Sequence, residues 1–337
     1  MNIKSLLIGS AAALAVVSGA QAADAIVAAE PEPMEYVRVC DAFGTGYFYI
    51  PGTETCLKIG GYVRAQLDWE HVENDRDGND FGMDARTRAY LSVSAKNDSE
   101  VGTIGSFIAL RTWAEEDYDG GTFEIDEAYI TVGGFKVGYM YNYWDNDLSG
   151  ETDNLGSNRI NAIGYEYATD AFTVGVFIDE LYSSAARGIG TDSNDGVGVE
   201  AQVAGTFGPA NAALLGAYDF AAEEGAVRLI VTADIGPGTL GVAGVYSTGF
   251  NQYYDVAEWT VAAEYAANLT DKLKLTPAAQ YFWDYDLIDG NDAWTAGVTL
   301  DYKIAEGLAF KTTANYFDED AADEGLWTGF VRLQRSF

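Results

Sequence analysis

The sequence predicts an all-β chain closed into a transmembrane antiparallel barrel of about sixteen strands. Three observations carry that prediction. The N-terminus has the form of an export signal, the body of the chain alternates apolar and polar residues, and long acidic connections take turns with tight ones.

The export signal comes first in the chain. Lys4 precedes the apolar run from Leu6 to Val17 and the small-residue site Ala20-Gln21-Ala22, so residues 1–22 are expected to be a signal peptide cut after Ala22. That run is too short to span a bilayer, and nothing after it supplies the roughly eighteen apolar residues that a membrane helix needs. Residues 23–56 are expected to form a periplasmic lead-in with a disulfide loop, and residues 57–337 the barrel. Only two cysteines occur, Cys40 and Cys56. In an exported chain a lone pair most simply forms a disulfide, which contributes about 3 kcal/mol by closing a short loop. Metal binding is the weaker reading, because no further ligands lie nearby.

Composition narrows the class. With 48% hydrophobic residues, 38 Gly and only 6 Pro, the chain is neither disordered nor collagen-like. A net charge of -33 argues against nucleic acid or anionic lipid as a partner of a basic surface.

From Leu57 onward the period is two. Ile59, Val63, Ala65, Leu67 and Trp69 share one face while Lys58, Tyr62, Arg64, Gln66 and Asp68 share the other. The same split recurs from Val227 to Ile235, from Trp259 to Leu269 and from Trp294 to Ile304. Segments of about ten residues suit tilted strands that cross a bilayer. A soluble sandwich strand alternates too, so alternation alone does not choose. The connections discriminate better. Tight ones such as Gly133-Gly134, Gly208-Pro209 and Glu306-Gly307 take turns with long ones near 71–82, 142–158, 182–195 and 318–325, which gathers the long loops at one end. The seven Trp fall near predicted strand ends, where interfacial girdles would place them. The last segment alternates up to Phe337 and is expected to close on the first strand, abolishing both edges.

One connection stands apart. The stretch from Tyr141 to Arg159, YNYWDNDLSGETDNLGSNR, is long, acidic at Asp145, Asp147, Glu151 and Asp153, and lies between two predicted strands. A long loop with no secondary structure of its own is commonly functional. It is expected to fold back into the barrel and narrow it.

The run from Val37 to Arg64, VRVCDAFGTGYFYIPGTETCLKIGGYVR, resembles the N-terminal signature of the rhizobial and brucellar type of alphaproteobacterial outer-membrane general porin. The likeness extends over essentially the whole chain. It implies a homotrimeric, sixteen-stranded diffusion porin of the outer membrane, with the third external loop tucked into each barrel. In this chain that loop is the acidic stretch. The terminal Phe337 resembles the assembly signal of such barrels, although Arg335 stands where that signal carries an apolar or aromatic residue.

A diffusion channel needs a polar lumen, a narrow point and fixed charge there. Arg64, Arg86, Arg88 and Arg111 share parity with polar residues and are expected to point inward, and Arg159 to reach the same level. A lipid-facing Arg near the midplane costs roughly 2 to 4 kcal/mol, which favours that facing. Opposed to them would stand Asp145, Asp147, Glu151 and Asp153, with Asp147 and Glu151 facing the lumen rather than pairing. The expected solutes are small, hydrophilic molecules and ions. Excess acid favours weak cation selectivity, which the arginines oppose.

Other chemistries are poorly supplied. NDRDGND at 74–80 and SNDG at 193–196 lack the spaced ligands of a calcium loop, so no metal or cofactor is expected. Contact with outer-membrane lipid and lipopolysaccharide is expected at the rim, with no ordered ion site. His71 is the only histidine and is placed in a predicted external loop without a nucleophile beside it, so no catalytic residue is assigned. The rival readings are a substrate-specific channel and a surface adhesin or structural barrel.

Overall fold

The structure, a computed structural model, describes residues 38–72, 81–115, 122–181 and 196–337. The expected signal peptide, the NDRDGND stretch and Ser193 to Asp195 lie outside the described residues.

Among the described residues a two-residue strand, β1 (Phe48–Tyr49), precedes sixteen long ones. These are β2 (Cys56–Val72), β3 (Phe81–Asn97), β4 (Ile104–Ala114), β5 (Thr122–Val132), β6 (Phe135–Tyr141), β7 (Arg159–Ala168), β8 (Phe172–Leu181) and β9 (Gly196–Phe207). Then follow β10 (Ala210–Asp219), β11 (Glu224–Ile235), β12 (Gly238–Ser247), β13 (Ala257–Asn268), β14 (Leu273–Tyr285), β15 (Ala293–Ala305), β16 (Leu308–Glu319) and β17 (Leu326–Ser336). Each long strand pairs antiparallel with the next, and β17 returns to β2 with Gly329 opposite Trp69 and Gln334 opposite Arg64. The last residue finishes the seam. Phe337 N–H donates to Gly61 O at 3.0 Å, and Gly61 N–H donates to Phe337 O at 3.2 Å. The result is a closed barrel without an edge, in which the strand backbones satisfy one another, as a lipid environment demands.

Period-two patterning becomes two faces. On β11, Val227 and Leu229 are 49% and 45% exposed, whereas Arg228 between them is 1% exposed. The apolar face therefore turns outward and the polar face does not, the reverse of a water-soluble core. No helix among the described residues is long and apolar enough to cross a membrane. The tight turns lie at one end of the barrel, and Gly208, with φ of 65°, supplies the left-handed conformation that the two-residue turn between β9 and β10 requires.

Three expectations need correction. Five of the seven Trp sit on or beside the apolar face near the long-loop end. There Tyr246 and Trp259 lie 4.2 Å apart, Tyr281 and Trp283 4.7 Å, and Tyr316 stands within 5.3 Å of Trp294 and 5.0 Å of Trp327. Trp144 is instead fully buried among loop residues, and Trp113 lies beneath the guanidinium groups of Arg86 and Arg88, so neither joins a girdle. A buried anchor and a cation-stacking surface are both uses of the indole that compete with an interface. His71 belongs to β2 rather than to a loop, opposite Trp327 on β17.

The cysteines form the expected disulfide, Cys40 to Cys56, with Cα atoms 6.0 Å apart. One irregularity interrupts the ladder: the register slips between Ala109 and Leu110, where Asp126 on β5 is the extra residue. Arg111 still faces Glu124 across the pair, so the bulge leaves the arginine on the polar face.

Candidate functional site

The acidic loop begins where β6 ends and closes where β7 starts. Its neck is tied by Asn142 N–H donating to Asn158 O at 3.1 Å. Asn142 caps the single turn of 3-10 helix at Tyr143–Asp145, its Oδ1 accepting from Trp144 N–H at 3.1 Å. That cap drives Trp144 into a cluster with Leu148, Leu155, Tyr253 and Tyr254, the indole packing 6.2 Å from each tyrosine ring.

Beyond this anchor the loop has no ladder of its own, so its backbone groups need side-chain partners. The polar face of the wall provides them. Arg228 on β11 donates to the carbonyls of Tyr143, Trp144 and Leu155, which clamps both arms of the loop with one guanidinium. Glu264 on β13 accepts from Ser149 N–H at 2.9 Å and from Gly150 N–H at 2.8 Å. Gln280 on β14 both accepts from Asn154 N–H and donates to Asn154 O. Thr299 on β15 accepts from Glu151 N–H, and Asn315 on β16 donates to Glu151 O at 3.0 Å. Gly150 suits this contact, because a Cβ there would stand 2.8 Å from the Glu264 carboxylate and the carboxylate would have to shift.

The four loop carboxylates have separate fates. Glu151 reaches Lys311 Nζ at 2.7 Å and Arg332 Nη1 at 3.4 Å, which corrects the expectation that it stays unpaired. Asp145 accepts from the Ser157 hydroxyl, and Asp153 accepts from Leu148 N–H at 3.2 Å, so both serve the loop's own turns. Asp147 has no such partner among the described residues. Burial first, and the neighbouring Asp153 carboxylate second, push its carboxyl up to about 7. Its side chain nevertheless keeps a solvent-facing surface. Burial likewise pushes Asp153 up to about 6, against the pull of its backbone partner. Asp145 is raised by burial against the Ser157 hydroxyl.

The five arginines expected to act together divide into two groups. Arg111 and Arg159 converge on Asp126 and Glu124 of β5, with Arg111 Nη1 at 2.9 Å from Asp126 Oδ1 and Arg159 Nη2 at 3.5 Å from Glu124 Oε2. Arg64, Arg86 and Arg88 lie on β2 and β3. Arg86 pairs with Asp68 at 2.7 Å. Arg64 and Arg88 face each other in register and are held by neutral groups: Arg64 donates to Gln334 Oε1 at 2.8 Å, and Arg88 stacks 3.6 Å from the Trp113 ring and donates to Tyr62 OH. Like charges directly opposed across a ladder are unfavourable, so this pair is not there to bind the sheet together.

Sequence reasoning missed Lys311, Arg332, Glu124, Asp126 and the anchoring set of Arg228, Glu264, Gln280, Thr299 and Asn315. Parity places Arg332 beside Gln334 on the polar face, but only the closed register of β16, β17 and β2 brings it to the loop.

Comparison with known proteins accords with this architecture. Residues 24–332 match the family model described as the porin subfamily. A putative outer membrane protein of Sinorhizobium fredii is 49% identical over 100% of this chain and 99% of its own length. Outer membrane protein IIIA of Rhizobium leguminosarum bv. viciae is 45% identical over 100% of this chain and 95% of its own length. Among solved structures, the outer membrane channel DcaP of Acinetobacter baumannii superposes with a TM-score of 0.69 at 12% identity, covering 86% of this chain and 99% of that one, a likeness of fold. With a family match across nearly the full length and relatives well above a third identical, the chain belongs to the porin subfamily of outer-membrane β-barrels.

Proposed function

We propose that the polar face lines a water-filled lumen through which small hydrophilic solutes and ions diffuse passively, and that the loop 142–158 lies inside it and sets its narrow point. The observation that carries this reading is the row of loop-to-wall hydrogen bonds from Arg228, Glu264, Gln280, Thr299 and Asn315, which spans five strands and runs along the polar face alone. A loop reaching outward into solvent would have no use for these partners. The narrow point then has Glu151, Asp147 and the loop backbone on one side. Lys311 and Arg332 tie Glu151 to the wall on that same side, and Arg64 and Arg88 stand on the other. Such an arrangement orients water and polar solutes and disfavours apolar ones that must displace ordered water.

In this reading the protein is a channel rather than an enzyme. Residues 1–22 direct export and are removed, 23–56 lead in from the periplasm, and Phe337 serves assembly as well as closure. Three copies associate in the outer membrane among lipid and lipopolysaccharide. Single-channel recording in planar bilayers tests the whole reading: ohmic steps in groups of three are expected, and a purified, folded barrel that passes no current would sink it.

A further inference from the structure

At the other end of the strands, beside the tight turns, the chain makes a second excursion. The disulfide ties Cys40 to Cys56, the first residue of β2, across a separation of 16 residues. Within that span β1 pairs with the start of β2, Phe48 opposite Leu57, and Cys40 N–H donates to Tyr47 O at 2.9 Å. The segment is thus a stapled hairpin, and its geometry fixes where Tyr47 can point.

A tyrosine on a hairpin hanging in water would be largely exposed, whereas Tyr47 is 8% exposed. Its hydroxyl hydrogen-bonds to Ser94 Oγ at 2.8 Å. The Nζ atoms of Lys58 and Lys96 each lie 5.8 Å from its ring, and the ring of Phe43 meets it edge-on at 6.2 Å. Lys58 faces Ser94 and Cys56 faces Lys96 in the β2–β3 register, so Tyr47 covers one square of four residues. All four have the parity of Arg64 and Arg88. The opposite parity on the same strands is apolar and exposed, with Ile59 at 49% and Leu91 at 43%. The hairpin therefore seats on the same polar face as the acidic loop, at the far end of the strands.

We propose that the Cys40–Cys56 hairpin is a second narrowing of the channel, a disulfide-tethered plug in the short-turn mouth, anchored by Tyr47 and rimmed by the Lys58 and Lys96 ammonium groups. This rests on the reading that the polar face lines the conducting lumen. The two narrowings act in series and differ in kind. The loop is held by many wall side chains, whereas the plug is held by one disulfide, one aromatic anchor and a two-residue pairing with the start of β2, so it is the more easily displaced. Its rim is cationic, so small anions are favoured at this mouth.

Single-channel conductance of the full protein separates the outcomes. Tyr47→Gly, the double variant Cys40→Ser with Cys56→Ser, and the assembled wild-type channel after thiol reduction should each conduct roughly 1.5-fold better than the oxidised wild type, by removal of a series constriction. Tyr47→Phe keeps the ring and should retain the wild-type value. Reduction of the assembled channel reads the effect even where a cysteine variant does not assemble. Unchanged conductance in both Tyr47→Gly and the reduced wild type overturns the plug while leaving the channel intact. A wild-type protein without conductance overturns the channel reading and the plug with it.

Discussion

The two groups of arginines are chemically alike and physically opposite. Arg111 and Arg159 each meet carboxylates of Glu124 and Asp126, and Asp126 is only 5% exposed. Arg64 and Arg88 meet a glutamine, a tyrosine hydroxyl and aromatic rings. The first group spends its charge on bracing the ends of β4, β5 and β7 at the base of the acidic loop. The second has no carboxylate partner among the described residues, so in the proposed channel its charge stays available to a passing solute. Facing alone does not tell these roles apart; the identity of the partner does.

If the first group is structural, removing it should have the largest effect on the fold. Arg111→Leu combined with Arg159→Leu leaves Asp126 buried without a cation, and breaking a buried pair from one side costs about 3 to 5 kcal/mol. The expected outcome is a clear fall in the temperature at which the folded barrel loses its compact migration on a gel. An unchanged midpoint would break the comparison. Next in size is the clamp. Arg228→Met removes donors to three carbonyls, each worth about 1 kcal/mol net, and should loosen the loop by about 2 to 3 kcal/mol. Current noise and protease access within 142–158 should both rise, and a quiet, resistant channel would show that the remaining wall contacts suffice.

The second group should behave in the reverse way. Arg64→Gln with Arg88→Gln touches no ion pair among the described residues, so stability should move by less than about 1 kcal/mol. The reversal potential in a salt gradient should move toward cation selectivity. Glu151→Gln removes the carboxylate that Lys311 and Arg332 share and should move it toward anions. Equal selectivity in these two variants would mean that neither side of this site faces the ion path.

Much of this was legible in the chain. The loop bounds follow from where the alternation stops at Tyr141 and resumes at Arg159, and those are the strand ends observed. Arginine facing follows from parity, because the lipid penalty for Arg leaves little choice. The partners were not legible for a different reason. Glu151 meets Lys311 and Arg332 across more than 150 residues, and that meeting depends on how the closed register turns six strands around the loop. Asp126 is hidden by a bulge, which adds a residue without any marker in the alternation. Trp144 looks like any other strand-end tryptophan until the Asn142 cap turns it inward.

The smallest expected effect concerns pH and sharpens the contrast between loop and wall. Arginines hold their charge across the accessible range, whereas the loop carboxyls of Asp147 and Asp153 are raised to about 7 and about 6. Their charged forms are disfavoured in the folded protein, so the cost to the loop's seat grows as pH rises from the ordinary carboxylate range to about 6 and about 7 and is fully present above that, while falling pH relieves it. As pH falls through this window the loop loses negative charge while the wall keeps its positive charge. Cation preference should therefore decline, and loop-dependent current noise should decline with it. Asp147→Asn should abolish the upper part of the transition and leave the part due to Asp153. A selectivity that is flat across this window, or that rises as pH falls, would place the two carboxylates away from the ion path and leave Glu151 and Asp145 to carry the loop's charge there.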